Sequence, residues 1–444
     1  MAIRLPGFFK REFFRNVATL VSGTTFVQVV AILIYLVLAR IYTPEDFGLF
    51  GLYMSIISIT AILATAKYEL SIMLPKEDKD AVNLLGLSVT ISFTISIILL
   101  VIVLIFNNPI SSLLGNEGIS PWLYFVPLST FLVGLFQSMK YYSNRNKRYK
   151  LITGANVGQS LTNSAGKVSI GPFIEGPTGL IAGTILGQAL GFAIFLTRFF
   201  HLDKEKIKWI EKQRIRILAK EYNLFPRFNM FQGIINNLSG TLPIFVFNSY
   251  FNAAIAGLFT MGYTIIHRPV NLLATAFYQV LSQKIIEKRN KGLRIYPDIK
   301  KFLYRLIQLV VVPFIVVTIF APAIFKFVLG EEWEEAGKYT QIIIPWLFMT
   351  CMAMPLSFIP DMFRKQKKAM IIDFIKLVLR IIALGTGIIY NDVYLGLVLF
   401  SLGSTFVILY SLLWYISLVR KADRSIEAEP VDLITDIDKE SEIT

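Results

Sequence analysis

Long runs of apolar residues alternate with short polar segments through almost all of this 444-residue chain. Twelve such runs lie at about 17–39, 47–66, 82–106, 121–142, 151–172, 178–200, 228–250, 254–283, 302–325, 337–360, 367–390 and 393–419. A hydrocarbon core of about 30 Å takes about 20 helical residues to cross, so each run is long enough. In lipid every backbone N–H and C=O must pair internally, and continuous runs of this length satisfy that as helices. The pattern predicts an all-α polytopic membrane protein of twelve transmembrane helices.

The polar segments between the runs alternate in charge. Those on one side hold 37 of the 44 Lys and Arg residues, and those on the other hold Arg40, Lys326 and Lys338 alone. Basic segments stay cytoplasmic, so both termini are expected inside, in a cytoplasmic (inner) membrane. The net charge of +14 is then explained by cytoplasmic Lys and Arg facing anionic membrane lipids, and no nucleic-acid partner is implied. The N-terminal MAIRLPGFFKREFFRNV reads as an interfacial segment leading into an uncleaved first span.

One inner segment is longer than the rest. DKEKIKWIEKQRIRILAKEY mixes Ile, Trp and Leu with Lys and Arg at roughly helical spacing, which predicts an amphipathic helix on the inner membrane surface. It divides the chain into an N-terminal six-helix lobe (1–200), a linker (201–222), a C-terminal six-helix lobe (223–420) and an acidic, disordered cytoplasmic tail (421–444). Six is even, so both lobes enter the membrane in the same direction, as a parallel pseudo-two-fold repeat about the membrane normal. A faint internal match supports this: FGLFGLYMSII from Phe47 and AGLFTMGYTII from Ala256 each follow the opening span of their lobe.

Four cations sit inside the apolar runs: Lys167, Arg268, Lys376 and Arg380. Central charges cost roughly 2.5–3.5 kcal/mol each on insertion scales, so they face the bundle interior and mark candidate sites. In the fifth span Asn156, Gln159, Ser160, Asn163 and Lys167 share one helix face, where Asn and Ser also serve simply to pair helices. In the eleventh, Asp373 and Lys376 are spaced to form an ion pair, which leaves Arg380 over. The eighth carries Thr264, His267, Arg268 and Asn271 around Pro269; the seventh carries Gln232, Asn236, Asn237 and Ser239 before Pro243. Broken helices of this kind line transporter sites, although a proline also makes a mere packing kink.

Other signals are decoys. NSAGKVS at 163–169 lacks the upstream Gly and the Ser or Thr directly after Lys of a phosphate-binding loop. Asn237-Leu-Ser239 is a glycosylation sequon within the membrane, and Glu331, Glu332, Glu334 and Glu335 form a solvated outer rim. With one Cys and two His, no metal site, no cofactor and no catalytic constellation is legible.

Four segments carry a wider resemblance: LARIYTPEDFGLFGLY at 38–53, AKYELSIMLPKEDKDAVNL at 66–84, YNLFPRFNMFQGIINNLSGTLPIFVFNSYFNAAIAGLF at 222–259 and WEEAGKYTQIIIPWLFMTCMAMPLS at 333–357. In these the chain resembles the polysaccharide (O-antigen and lipid-linked oligosaccharide) flippases, a branch of the multidrug/oligosaccharidyl-lipid/polysaccharide exporter superfamily. The resemblance implies a fold like that of the multidrug and toxic-compound extruders (MATE), with two six-helix lobes around a central cavity. It implies alternating access for a polyprenyl-diphosphate-linked oligosaccharide, in the making of a surface polysaccharide such as O-antigen or capsule. A polysaccharide polymerase and chain-length machinery are the implied partners. The substrate-binding candidates are then Lys167, Arg268, Lys376 and Arg380, with Arg40 and Lys67 near the cavity ends and Asn163, Asn236 and Asn271 for sugar hydroxyls. Asp373 is an ion-pair or coupling candidate. Two alternatives stand beside this reading. A drug or metabolite exporter of the same fold would need embedded carboxylates, and a membrane-embedded glycan polymerase or transferase would need a substantial extramembrane loop.

Overall fold

The structure is a computed structural model that describes residues 33–428, with side chains to Arg424. The N-terminal interfacial segment, most of the first span and the tail beyond Ala428 lie outside the described residues. All regular structure in the described part is helical. Residues 33–41 (α1) end the first span. Then come α2 (Pro44–Thr65), α3 (Asp78–Leu113), α4 (Val126–Arg145), α5 (Tyr149–Ile170) and α6 (Thr178–Leu202). The linker helix α7 (Lys212–Glu221) precedes α8 (Met230–Val246), α9 (Ala253–Asn290), α10 (Tyr296–Leu329), α11 (Glu334–Ala353), α12 (Gln366–Ile389) and α13 (Val393–Ala428).

Each expected span from the second onward coincides with helical structure. By length and composition alone, α2, α3, α6, α10, α13 and the stretch Glu331–Met362 around α11 can cross a membrane; a bent pair, Glu117–Leu123 with α4, makes a seventh. Helices α5, α8, α9 and α12 are also about 25–55 Å long at 1.5 Å per residue. α8 is short, at 17 residues, and α5, α9 and α12 carry polar and charged residues along their length. The chain is a multi-pass, all-α membrane protein.

Local chemistry sets the helix ends. Thr43 and Asp46 form a reciprocal capping box on α2, with Pro44 at its first position. In α3, Pro109 lacks the donor for the preceding turn, and Phe106 leaves helical geometry (φ −115°, ψ 21°). The bend is tied to the turn that follows, where Asn107 Nδ2 donates to the Ser120 carbonyl (3.0 Å) and Ser120 Oγ to Asn107 Oδ1 (2.7 Å).

The two halves repeat these devices. The last two helices of each half pack backbone to backbone where glycines leave room: Gly183 against Asn163 and Lys167, and Gly387 against Gly396. Each half ends on a buried aspartate that ties its last helix to another segment. Asp203 takes Arg148 and Lys206, and Asp423 accepts the Ile295 and Tyr296 amides at 2.7–3.1 Å.

The linker departs from a single amphipathic helix. It is a short turn over Lys204–Trp209 and then α7, broken at Ile210. The break has a partner: Asn83 at the start of α3 donates to the Trp209 carbonyl (2.9 Å) and accepts from the Glu211 amide (2.8 Å). Arg214 grips Asp80 through two bonds of 2.6 Å, and Tyr68 donates to the Ala219 carbonyl (2.8 Å). Leu218 is buried, whereas Ile207, Trp209, Ile210 and Ile217 stay exposed as an apolar edge. The linker is thus bound to the first half where α2 gives way to α3.

Candidate functional site

The intramembrane cations fall into two groups. Lys167, near the C-terminal end of α5, is 5% exposed, with Nζ 4.3 Å from the centre of the Phe50 ring. Its backbone carbonyl accepts from the Tyr42 hydroxyl at 2.7 Å. Burial, then the charge of Asp46, push that hydroxyl up to about 12, so it stays protonated as a donor. From the other half, Arg268 on α9 reaches the same aromatic wall. Its Nη2 donates to Tyr35 Oη at 3.0 Å, and its guanidinium lies 4.7 Å over the Tyr35 ring. The Tyr35 ring is 6.2 Å from Phe47, and Tyr35, Phe47 and Phe50 belong to one buried core cluster. Among the described residues neither cation has a carboxylate within ion-pair distance.

The second group lies in the C-terminal half. Lys376 binds Asp373 at 2.7 Å, as the three-residue spacing predicts. Arg380 is 4% exposed and sits in a socket built by three other helices. Nε donates to Ser404 Oγ on α13 (2.8 Å), and Nη1 donates to the Ser239 carbonyl (2.7 Å) and Oγ (3.0 Å) on α8. The guanidinium lies over both the Trp346 (4.7 Å) and Phe400 (4.5 Å) rings, which meet edge to face at 5.2 Å. All its partners are neutral, and among the described residues Nη2 makes no hydrogen bond.

A ladder of rings joins the two groups. Trp346 stacks on Tyr263 (5.5 Å, 5°), and Tyr263 stacks on His267 (4.6 Å, 23°), the residue before Arg268. Tyr35, Tyr263, Trp346, Phe400 and Ser404 are the site residues that sequence reasoning missed. Tyr263 and His267, four apart on one helix, carried a readable signal; the others touch the site only across helices.

The remaining candidates lie elsewhere. Arg40 is exposed at the end of α1, lining a cavity of about 640 Å³ with Tyr42, Asp46, Gly171 and Glu175. Lys67 follows the C-terminal end of α2, 3.7 Å from the buried Glu69. Asn163 packs against Gly187, Asn236 is exposed, and Asn271 accepts from Thr275 at 3.4 Å. The structure does not gather these three amides around one point. Among the described residues no set of three His, Cys, Asp or Glu side chains is placed to hold a metal.

Comparison with known proteins follows this geometry. Residues 37–338 match the family described as polysaccharide biosynthesis protein. No curated protein matches the chain in sequence. Among solved structures, the lipid II flippase MurJ in an inward closed conformation is similar with a TM-score of 0.71 and 15% identity, over 92% of this chain and 91% of that one. An inward-facing multidrug resistance MATE family transporter of the MOP superfamily gives 0.60 and 14%, over 90% and 96%. A MOP superfamily transporter from Pyrococcus furiosus gives 0.56 and 14%, over 92% and 96%. At these identities the likeness establishes the fold.

Proposed function

The chain belongs to the polysaccharide biosynthesis protein family, and from that premise we propose that it is a flippase. In this reading it moves a polyprenyl-diphosphate-linked oligosaccharide across the bacterial cytoplasmic membrane by alternating access, with both termini inside. One observation carries the reading: the buried Lys167 and the half-buried Arg268, contributed by different halves, lie against aromatic rings with no counter-carboxylate among the described residues. A charge withheld from water and left unpaired is costly, and such a pair is stabilised by an anionic ligand. A diphosphate carries that charge in a compact form and bonds to Arg and Lys through charge-assisted hydrogen bonds.

The rings of Tyr35, Tyr263 and His267 complete the fit. Their polar atoms and nearby amides serve sugar hydroxyls. The polyprenyl chain stays in lipid, so the protein lowers only the barrier to moving the polar head. No covalent step is required.

The test is a proteoliposome flipping assay with a defined polyprenyl-diphosphate oligosaccharide. Lys167→Gln and Arg268→Gln should insert normally, lower flipping by tenfold or more each, and weaken binding of the diphosphate head. Full flipping by both variants refutes the reading.

A further inference from the structure

The two halves meet at the outer membrane surface in a reciprocal contact. One constant register offset relates Thr43 to Asn252, Pro44 to Ala253, Gly48 to Gly257 and Gly51 to Thr260. Each pair shares a role. Thr43 Oγ1 caps α2 by accepting the Asp46 amide (3.3 Å), and Asn252 Oδ1 caps α9 by accepting the Ile255 amide (2.8 Å). Pro44 and Ala253 are the first residues of those helices. The glycines then cross over. A side-chain carbon on Gly48 would overlap the Ala253 carbonyl, and one on Gly257 would overlap the Pro44 carbonyl. One turn further in, a carbon on Gly51 would lie 3.4 Å from Thr260 Cβ.

Helices α2 and α9 therefore touch through bare backbone, each seating its glycine on the first turn of the other. Further outer bonds join the halves around this crossing. Asn248 Nδ2 donates to the Gly48 carbonyl (3.3 Å), Ser249 Oγ to the Leu114 carbonyl (2.8 Å), and buried Trp333 to the Ala39 carbonyl (3.1 Å). The described conformation is closed on this face.

We propose that the reciprocal Gly48–Gly257 seat is the outer gate of the protein, and that its loss of fit by one methyl group tips the chain toward the outward-open state. Close helix approach without side chains is a two-state contact. Small residues give dense packing when seated, and any added Cβ forces the helices apart rather than compressing a side chain. Because the two seats are related by the internal repeat, either substitution has the same consequence. The inference rests on the alternating-access reading above.

The experiment uses the full chain with Cys351, its sole cysteine, replaced by Ala. Spin labels go on cysteines at the exposed outer positions Glu117 and Glu332, one in each half. Gly48→Ala and Gly257→Ala should each add a longer-distance population, whereas Gly385→Ala, with nothing within 4 Å of its added carbon, should not. Unchanged distances in both gate variants overturn the proposal. Should those variants fail to insert, the pair Gly51→Cys with Thr260→Cys decides. The 3.4 Å spacing is close to the roughly 3.5–4.5 Å of a disulfide. Oxidation should form the bond and stop flipping, and reductant should restore it; a cross-linked protein that still flips substrate refutes the gate. The distance measurement needs no substrate, so it separates failure of the gate from failure of the flippase reading.

Discussion

Replacing Arg380 with Met separates the two roles its socket permits, structural clamp and ligand for a phosphate. On the structural side the change removes three hydrogen bonds, to Ser404 Oγ and to Ser239 O and Oγ, and two ring contacts at 4.5 and 4.7 Å. Bonds to a charged donor are worth about 1.5–3 kcal/mol each and a desolvated cation–π contact about 2. Against this stands the cost of keeping a guanidinium out of water, which is several kcal/mol and vanishes with Met. Ser404 already donates to the Phe400 carbonyl (2.6 Å), so only Ser239 is left in need of a partner. The terms oppose each other, so the net loss of folded-state stability is smaller than the sum of the lost bonds and is read from the unfolding curve. On the ligand side nothing cancels. Two unused Nη2 donors to a phosphate are worth about 1.5–3 kcal/mol each, and 1.4 kcal/mol is a factor of ten. Flipping by Arg380→Met should therefore fall at least tenfold, measured in proteoliposomes beside a thermal-unfolding curve on the same preparation. Arg380→Lys should keep part of the activity, since it retains charge but not the fork. A folded Arg380→Met that flips within about twofold of the parent would falsify the ligand role, as would a loss explained entirely by unfolded protein.

Three further outcomes are expected. Ala66 ends α2 in the left-handed region (φ 47°), so Ala66→Gly should stabilise the protein by about 1 kcal/mol, seen as a higher unfolding temperature; a lower one contradicts the strain argument. The Asp80 carboxyl is held below the ordinary Asp range by hydrogen bonds from Arg214, opposed by partial burial and helped by the charges of Arg214 and Lys79. A depressed folded value makes the linker contact fully stabilising above about pH 3.9 and weakens it as pH falls through the lower value. Hydrogen exchange in α7 should quicken there and be insensitive to pH in Asp80→Asn; equal acid sensitivity in both proteins excludes Asp80 as the cause. In the Cys351→Ala background, single cysteines at Asn108 and Lys338 should react with an impermeant reagent from outside, and one at Lys204 should not. The reverse pattern overturns the orientation.

What the sequence by itself determined is whatever follows from neighbours along the chain. The spans were legible because lipid imposes one length and one hydrogen-bonding solution on every crossing segment. The Asp373–Lys376 bond was legible because residues three apart on a helix adjoin, whatever surrounds them. The GLF repeat could be seen in the letters at Gly48 and Gly257, but its meaning could not. Tertiary structure alone set those two glycines against the opposite helix starts, and brought Lys167 and Arg268 from different halves to one aromatic wall. It alone enclosed Arg380 between Ser239 and Ser404, and broke the linker on Asn83, 128 residues before Glu211. The physical reason is common to all of these. Helix–helix register is decided by how small residues let backbones approach, and that fit belongs to two surfaces at once. No single helix's periodicity records it.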